Sequence, residues 1–264
     1  MRHVPRKRFG QHFLTDPAII GAIVDAIAPK RDDFIVEIGP GLGALTRPLA
    51  ARVDRLSVIE LDRDIVARLT QEFGPRVTVY SGDALQFDFS QFPEGYRVAG
   101  NLPYNISTPL LFHLLPFAAR MRDLHFMLQK EVVERMVAAP STPAYGRLSV
   151  MLQLHFAMDN LLAVPAEAFD PPPKVESALV RMRPLPPVAG EGFDADVFAE
   201  VVTAAFGQRR KTLRNSLGKL FADQAELLRL GIDPALRAEN LGVGDYRRLA
   251  AGLSSCRSSS RAFR

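Results

Sequence analysis

Phe34-Ile35-Val36-Glu37-Ile38-Gly39-Pro40-Gly41-Leu42-Gly43 is the stretch whose reading decides the fold. A short apolar run breaks into a glycine loop, and a helix-like segment follows it. Strand, tight turn and helix in that order let backbone approach a ligand closely beside the positive end of the helix. With Ala44 the loop satisfies the G-x-G-x-x-A dinucleotide pattern, so alone it does not separate NAD from S-adenosylmethionine.

Working outward, short β-rich runs alternate with helical patterns: Leu56–Ile59, helix-like Ile65–Phe73, Val77–Tyr80, Arg97–Ala99 and Leu124–Leu128. That alternation predicts an α/β fold with an open parallel sheet and right-handed crossovers. Upstream, Asp16 as N-cap and Pro17 at the first helical position predict a helix through Ile27. Past Tyr145 the pattern changes. Leu148–Leu154 reads as helix, while Leu161–Val164 and Ala178–Met182 read as a closing antiparallel pair at one sheet edge. Between them, Phe169-Asp170-Pro171-Pro172-Pro173 forces an extended loop. Pro184–Gly192 reads as a linker. Phe193–Leu253 carries only helical patterns, among them Val197–Phe206, Arg210–Phe221 and Ala225–Leu230, and Ser254–Arg264 reads as a disordered tail. The expected division is therefore residues 1–186, a cofactor-binding catalytic domain, and residues 187–264, a smaller all-α domain.

The bulk numbers narrow the class. A chain of 264 residues with 47% hydrophobic and 23% charged residues suits a soluble globular protein of one large domain and one small one. No apolar run approaches the roughly 20 residues needed to span a bilayer, and the basic start is followed by no apolar signal segment. One cysteine, Cys256, excludes an intramolecular disulfide and fits a reducing cytoplasm. One cysteine and five scattered histidines offer no metal-ligand spacing, so no metal is expected. Nothing marks an obligate interface, and a monomer is expected. The net charge is only +4, but basic residues cluster at Arg6, Lys7 and Arg8 and again at Arg209, Arg210, Lys211 and Arg214. Two such clusters around a near-neutral middle point to a polyanion held at its phosphates; the competing reading is a solvated charged face.

Three carboxylates sharpen the glycine loop. Glu37 lies just before it, Glu60 ends the second predicted strand where it can accept both ribose hydroxyls, and Asp83, beside Ala84, follows the third. Together on the carboxyl edge of a parallel sheet they build a nucleoside pocket. Asn101-Leu102-Pro103-Tyr104 follows the fourth predicted strand. Its residue types suit transfer to an exocyclic base amine such as adenine N6, whose lone pair is delocalised into the ring. The Asn101 side-chain oxygen and the Leu102 carbonyl can accept its two N–H groups, Pro103 fixes where that carbonyl points, and Tyr104 offers a face to a flipped-out base. Phe169 is a candidate for the second face, or else an apolar anchor for its loop. His113, His125 and His155 lie in apolar stretches and are expected in or near the core.

These residues resemble a known family. Arg6-Lys7-Arg8-Phe9-Gly10-Gln11-His12-Phe13-Leu14, Val36–Gly41, Val58–Asp62, Asn101–Leu110, Gln129-Lys130-Glu131, Phe169–Ser177 and Phe206–Leu213 are similar to motifs of the small-subunit ribosomal RNA adenine N6,N6-dimethyltransferases. The resemblance implies a Rossmann-like S-adenosylmethionine-dependent methyltransferase that dimethylates two adjacent adenines near the 3′ end of small-subunit rRNA. It also implies that the N-terminal motif closes over the cofactor through Gln11, His12 and Leu14, many relatives having Asn at the position of His12. Gly39, Gly41, Glu60, Asp83, Ala84 and Asn101 would line the cofactor pocket, and the two basic clusters would hold RNA. Large-subunit adenine methyltransferases share the Asn-x-Pro-Tyr-Asn-Ile-Ser core, whereas Phe206–Leu213 resembles the small-subunit enzymes. A nicotinamide dehydrogenase, an RNA-binding assembly factor and a DNA adenine methyltransferase are the rival readings.

Overall fold

The computed structural model describes residues 12–186, 194–221 and 223–262, with the side chains of 259–262 left aside. By spatial proximity the described residues form two units, one of residues up to 134 with 156–185, the other of residues 135–155 with those from 186 onward.

The first unit is built on strands β1 (Phe13–Leu14), β2 (Phe34–Ile38), β3 (Arg55–Glu60), β4 (Val77–Ser81), β5 (Tyr96–Asn101), β6 (Met121–Gln129), β7 (Phe156–Val164), β8 (Phe169–Asp170) and β9 (Ser177–Pro184). Seven of them form one sheet in the order β4-β3-β2-β5-β6-β9-β7. β4, β3, β2, β5 and β6 run parallel, and β9 enters antiparallel between β6 and β7. The closing antiparallel pair lies where the sequence placed it. β1 and β8 make a separate two-stranded ribbon, Leu14 opposite Phe169. Helices α1 (Pro17–Ile27), α2 (Thr46–Ala50), α3 (Arg63–Phe73) and α4 (Tyr104–Leu114) follow β1, β2, β3 and β5. α1 starts as expected: the Asp16 side chain accepts from the Ala18 and Ile19 amides, and Ile23, Val24 and Ile27 are buried.

The order of strands turns around between β2 and β5: the chain builds outward through β3 and β4, then returns to the other side of β2. At such a switch point the loops leaving the strands diverge and open a crevice at their carboxyl ends. β2 and β5 approach closely because β5 carries Gly100, where a Cβ would lie 2.4 Å from the Ile38 carbonyl oxygen.

At the opposite end of these strands a buried ion network ties the layers together. Arg97 pairs with Asp33 at 2.7 Å and Asp123 at 2.8 Å, and also donates to the carbonyls of Ile27 and Ala28 at the end of α1. Burial opposes ionisation of Asp33, but the Lys30 amide and the Arg97 and Arg122 guanidiniums outweigh it and hold the carboxyl below its usual range. His125, also buried, has its pKa pushed down to about 4 by desolvation.

The second unit contains α6 (Arg147–Gln153), α7 (Ala195–Gly207), α8 (Leu213–Ser216), α9 (Gln224–Arg229) and α10 (Val243–Ala262), and the division falls within α5 (Lys130–Val137). Three expectations change here. The linear boundary after residue 186 leaves 135–155 on the wrong side: Tyr145, Leu148, Val150 and Leu152 are buried, Tyr145 donates to the Leu241 carbonyl, and α6 packs on α7. The helix expected over Arg210–Phe221 shrinks to α8. The Leu213 and Arg214 amides go to the carbonyls of Leu236 and Pro234 instead of to a preceding turn, and residues 217–221 close as a separate turn. The tail is not disordered through Ala262 but continues α10. Leu249, Ala250 and Leu253 are buried, Arg257 pairs bidentately with Glu200, and Ser255 and Ser258 bond back to the carbonyls four residues earlier. The linker reading falls mostly on residues 187–193, outside the described ones.

Candidate active site

A cavity of about 320 Å³ occupies the switch-point crevice. The segments that leave β2, β3, β4 and β5 line it, together with His12, Phe13 and Leu14 from β1 and the residue before it.

Its floor is the glycine loop. Gly39, Gly41 and Gly43 take φ values of +68°, +53° and +84°, a region that L side chains rarely enter. At Gly41 a Cβ would also meet the Phe13 ring at 3.1 Å, so the glycine makes room for β1. The acids stand around this loop. Glu60, the last residue of β3, is 8% exposed and accepts from the backbone amides of Leu61, Asp62 and Gly41 at 2.8, 2.9 and 3.3 Å. Burial raises its pKa, and those amides pull against the shift. Glu37, fully enclosed, accepts from the Thr46 hydroxyl at 2.7 Å. Desolvation pushes its pKa up to about 7, the Thr46 bond opposing and nearby Glu60 adding to the rise. Asp83 accepts from the Leu85 amide at 2.9 Å in a side-chain turn and lines the cavity with Ala84.

Asn101 closes β5, with Leu102 and Pro103 leading into α4 at Tyr104. The Leu102 amide donates to the Met127 carbonyl at 3.2 Å, which pins the turn to β6. Asn101 Nδ2 donates to the His12 carbonyl at 3.1 Å, so Oδ1 is the acceptor end of an oriented amide. The Tyr104 hydroxyl is 2.7 Å from Ser177 Oγ, and burial raises its pKa despite that bond. His12 stacks on Tyr104 at 5.7 Å between ring centroids and 26° between planes, and its Nδ1 donates to the Pro171 carbonyl at 2.7 Å.

His12, Leu14, Glu37, Gly39, Gly41, Glu60, Asp83, Ala84 and Asn101–Tyr104 are therefore brought together around one cavity. Phe169 is not. It is 3% exposed, paired to Leu14 in the β1–β8 ribbon and packed in the apolar core with Ile23, Leu179 and Val164. Its ring anchors the ribbon, the alternative its sequence context left open. Gln11, Arg6, Lys7 and Arg8 lie outside the described residues. All four residues of the second basic cluster, Arg209, Arg210, Lys211 and Arg214, are exposed. Arg209 is committed internally, to Glu239 at 3.0 Å and to the carbonyls of Pro143 and Tyr145. Sequence reasoning missed Thr46, Gly100, Ser177 and Leu61, an apolar side chain 48% exposed on the cavity wall. Only Gly100 carried a signal, as a glycine inside a strand. Among the described residues no group of three His, Cys, Asp or Glu could hold a metal, and no helix is long and apolar enough to cross a membrane.

The chemistry of this donor set fits a nucleoside cofactor. A strand-end carboxylate, a backbone cradle that side chains would fill, and a second carboxylate after β4 suit a ribose and an adenine. Sheet and site together define an S-adenosylmethionine-dependent methyltransferase of the Rossmann-like class. Comparison with known proteins narrows the class. The family described as ribosomal RNA adenine dimethylase matches residues 2–254. The Thiobacillus denitrificans protein named ribosomal RNA small subunit methyltransferase A is 60% identical over 254 residues, 96% of this chain and 99% of its own. The Chromobacterium violaceum protein of the same name is 58% identical over 94% of this chain and 95% of its own. Among solved structures, a dimethyladenosine transferase from Plasmodium falciparum superposes with a TM-score of 0.78 at 27% identity, covering 90% of this chain and 96% of that one. The 23S rRNA methyltransferase ErmE, at 24% identity and a TM-score of 0.71 over 91% of this chain and 99% of that one, shares the fold. The chain belongs to the ribosomal RNA adenine dimethylase family.

Proposed function

We propose that this protein transfers methyl groups from S-adenosylmethionine to N6 of two adjacent adenines near the 3′ end of small-subunit rRNA, giving dimethyladenosine as the subunit is assembled. The observation that carries the reading is the oriented amide of Asn101 at the end of β5, opening on a cavity already furnished for a nucleoside.

In this reading Glu60 and Asp83 hold the cofactor's ribose and adenine, Leu61 packs against the adenine ring, and the glycine loop lets the cofactor lie against the backbone. Leu14 borders the cofactor from the β1 side. When bound, S-adenosylmethionine supplies a methyl group already activated on a sulfonium, so no strong base is needed. The protein's contribution is placement. Asn101 Oδ1 accepts one N6–H and the Leu102 carbonyl the other, drawing the amine toward tetrahedral geometry and aiming its lone pair. These bonds strengthen as the nitrogen gains positive charge, so they favour the transition state over the bound substrate. Tyr104 stacks on the flipped base. Its cavity face is shared with His12, so the base enters as that segment shifts.

The exposed Arg210, Lys211 and Arg214 hold rRNA phosphates, with Arg6, Lys7 and Arg8 as a second set; the protein acts in the cytoplasm, as a monomer. Asn101→Ala tests the assignment. Methyl transfer should fall at least a hundredfold while small-subunit binding is retained. Wild-type transfer by the variant would overturn the role of Asn101, and subunit maturation supported equally well by the methylation-dead variant would favour an assembly factor in which methylation is secondary.

A further inference from the structure

The proline-rich segment before β9 begins at Phe169, whose ring serves as an apolar anchor and not as a face for the base. The same segment reaches the site at its other end. Ser177, the first residue of β9, is fully buried, and its backbone pairs with Gln129 of β6 on one side and Val164 of β7 on the other. A residue held between two strands of a seven-stranded sheet has almost no freedom to move. Its hydroxyl lies 2.7 Å from the Tyr104 hydroxyl, the only hydrogen bond its side chain makes among the described residues.

We propose that Ser177 is a positioning residue for methyl transfer, fixing the long axis of the Tyr104 ring on which the target base stacks; this rests on the stacking role given to Tyr104 above. Tyr104 needs such a restraint. It sits at the first turn of α4, half-buried, and one ring face borders the cavity. Rotation about its side-chain bonds would tilt that face, and a base stacked on it would tilt with it. The amine of that base must meet the cofactor methyl within a few tenths of an ångström and some ten to twenty degrees. Packing in a slot sets the plane of a ring, whereas a hydrogen bond from its far end to a rigid strand fixes where its long axis points. Before the base enters, the same segment also holds the imidazole stacked on this ring, through the Pro171 carbonyl. The sequence Pro171–Ser177 thus acts on Tyr104 at two points, and Ser177 is the one that contacts it directly.

The test is a double-mutant cycle on methyl transfer to unmodified small subunits, with Ser177→Ala, Tyr104→Phe, both together, and Tyr104→Ala. Either loss of a hydroxyl should lower kcat about tenfold, the scale of one positioning hydrogen bond. The double variant should be no slower than the worse single one. S-adenosylmethionine affinity should stay unchanged in Ser177→Ala, and Ser177→Thr, which keeps the hydroxyl in a strand-compatible residue, should restore most of the rate. Wild-type kinetics in Ser177→Ala, or losses that multiply in the double variant, would overturn the role of Ser177 while leaving Tyr104 as a platform. Wild-type kinetics in Tyr104→Ala would instead overturn the platform and the role of Ser177 with it. Should Ser177→Ala melt early, Tyr104→Phe reports on the same bond from the side that leaves β9 intact.

Discussion

Glu37 illustrates how a site residue can act through its protonation rather than a contact. Its pKa rises to about 7 in the folded protein, against an ordinary value of 4.5 in the unfolded chain. The folded state therefore binds a proton more tightly. The stability this confers is fully present below about 4.5 and is lost as pH rises through about 7. Glu37→Gln keeps an acceptor for the Thr46 hydroxyl and carries no charge, so it should remove that loss. Urea unfolding at a series of pH values should give on the order of 3 kcal/mol more stability for the variant at pH 8 than at pH 4, relative to wild type. Parallel profiles would contradict it. At this scale the sequence was most legible where chemistry is local. Asn101-Leu102-Pro103-Tyr104 could be read because four adjacent residues carry the whole argument. Phe169 could not, because burial depends on Leu14, far away in the chain. Ser177 and Thr46 were illegible for the same reason: a serine or threonine hydroxyl acquires a role only once the fold supplies its partner.

Among the elements, β2 and β5 define the crevice, and their spacing depends on Gly100. Gly100→Ala would set a Cβ 2.4 Å from the Ile38 carbonyl, and we expect roughly 1–3 kcal/mol of lost stability from the forced separation. A melting curve and the cofactor's stabilising shift would both register it; an unchanged pair of values would contradict the account. At the other end of the strands, Arg97→Ala leaves Asp33 and Asp123 buried without their shared cation. Breaking a buried ion network from one side costs about 3–5 kcal/mol, and denaturant unfolding should show it. The strands were legible in the sequence from apolar runs bounded by turns. The short α8 was not: periodicity continues from Arg210 to Phe221, but the Leu213 and Arg214 amides are taken by carbonyls at Pro234 and Leu236, and no local pattern foretells that. The extension of α10 past Ser254 was hidden likewise, since a Ser- and Arg-rich run becomes a helix only with Leu253 buried and Glu200 facing Arg257.

For the whole molecule, two units are found as the sequence led one to expect, with altered borders. The sheet unit carries the cavity, and the helical unit, which recruits residues 135–155, carries the exposed cluster of Arg210, Lys211 and Arg214. Neutralising these three should weaken small-subunit binding and flatten the slope of log affinity against log salt by about 2. Arg209→Ala should lower the melting temperature and leave that slope nearly as it was, because its guanidinium binds Glu239 and two carbonyls. Equal slopes for the triple variant and wild type would remove the phosphate role. The central claim concerns the reaction, and one measurement reaches it: transfer of labelled methyl from S-adenosylmethionine to small ribosomal subunits that lack these modifications, followed by nucleoside analysis. N6,N6-dimethyladenosine in small-subunit rRNA is the expected result. Label confined to large-subunit RNA or DNA, or found on any atom other than adenine N6, would contradict it.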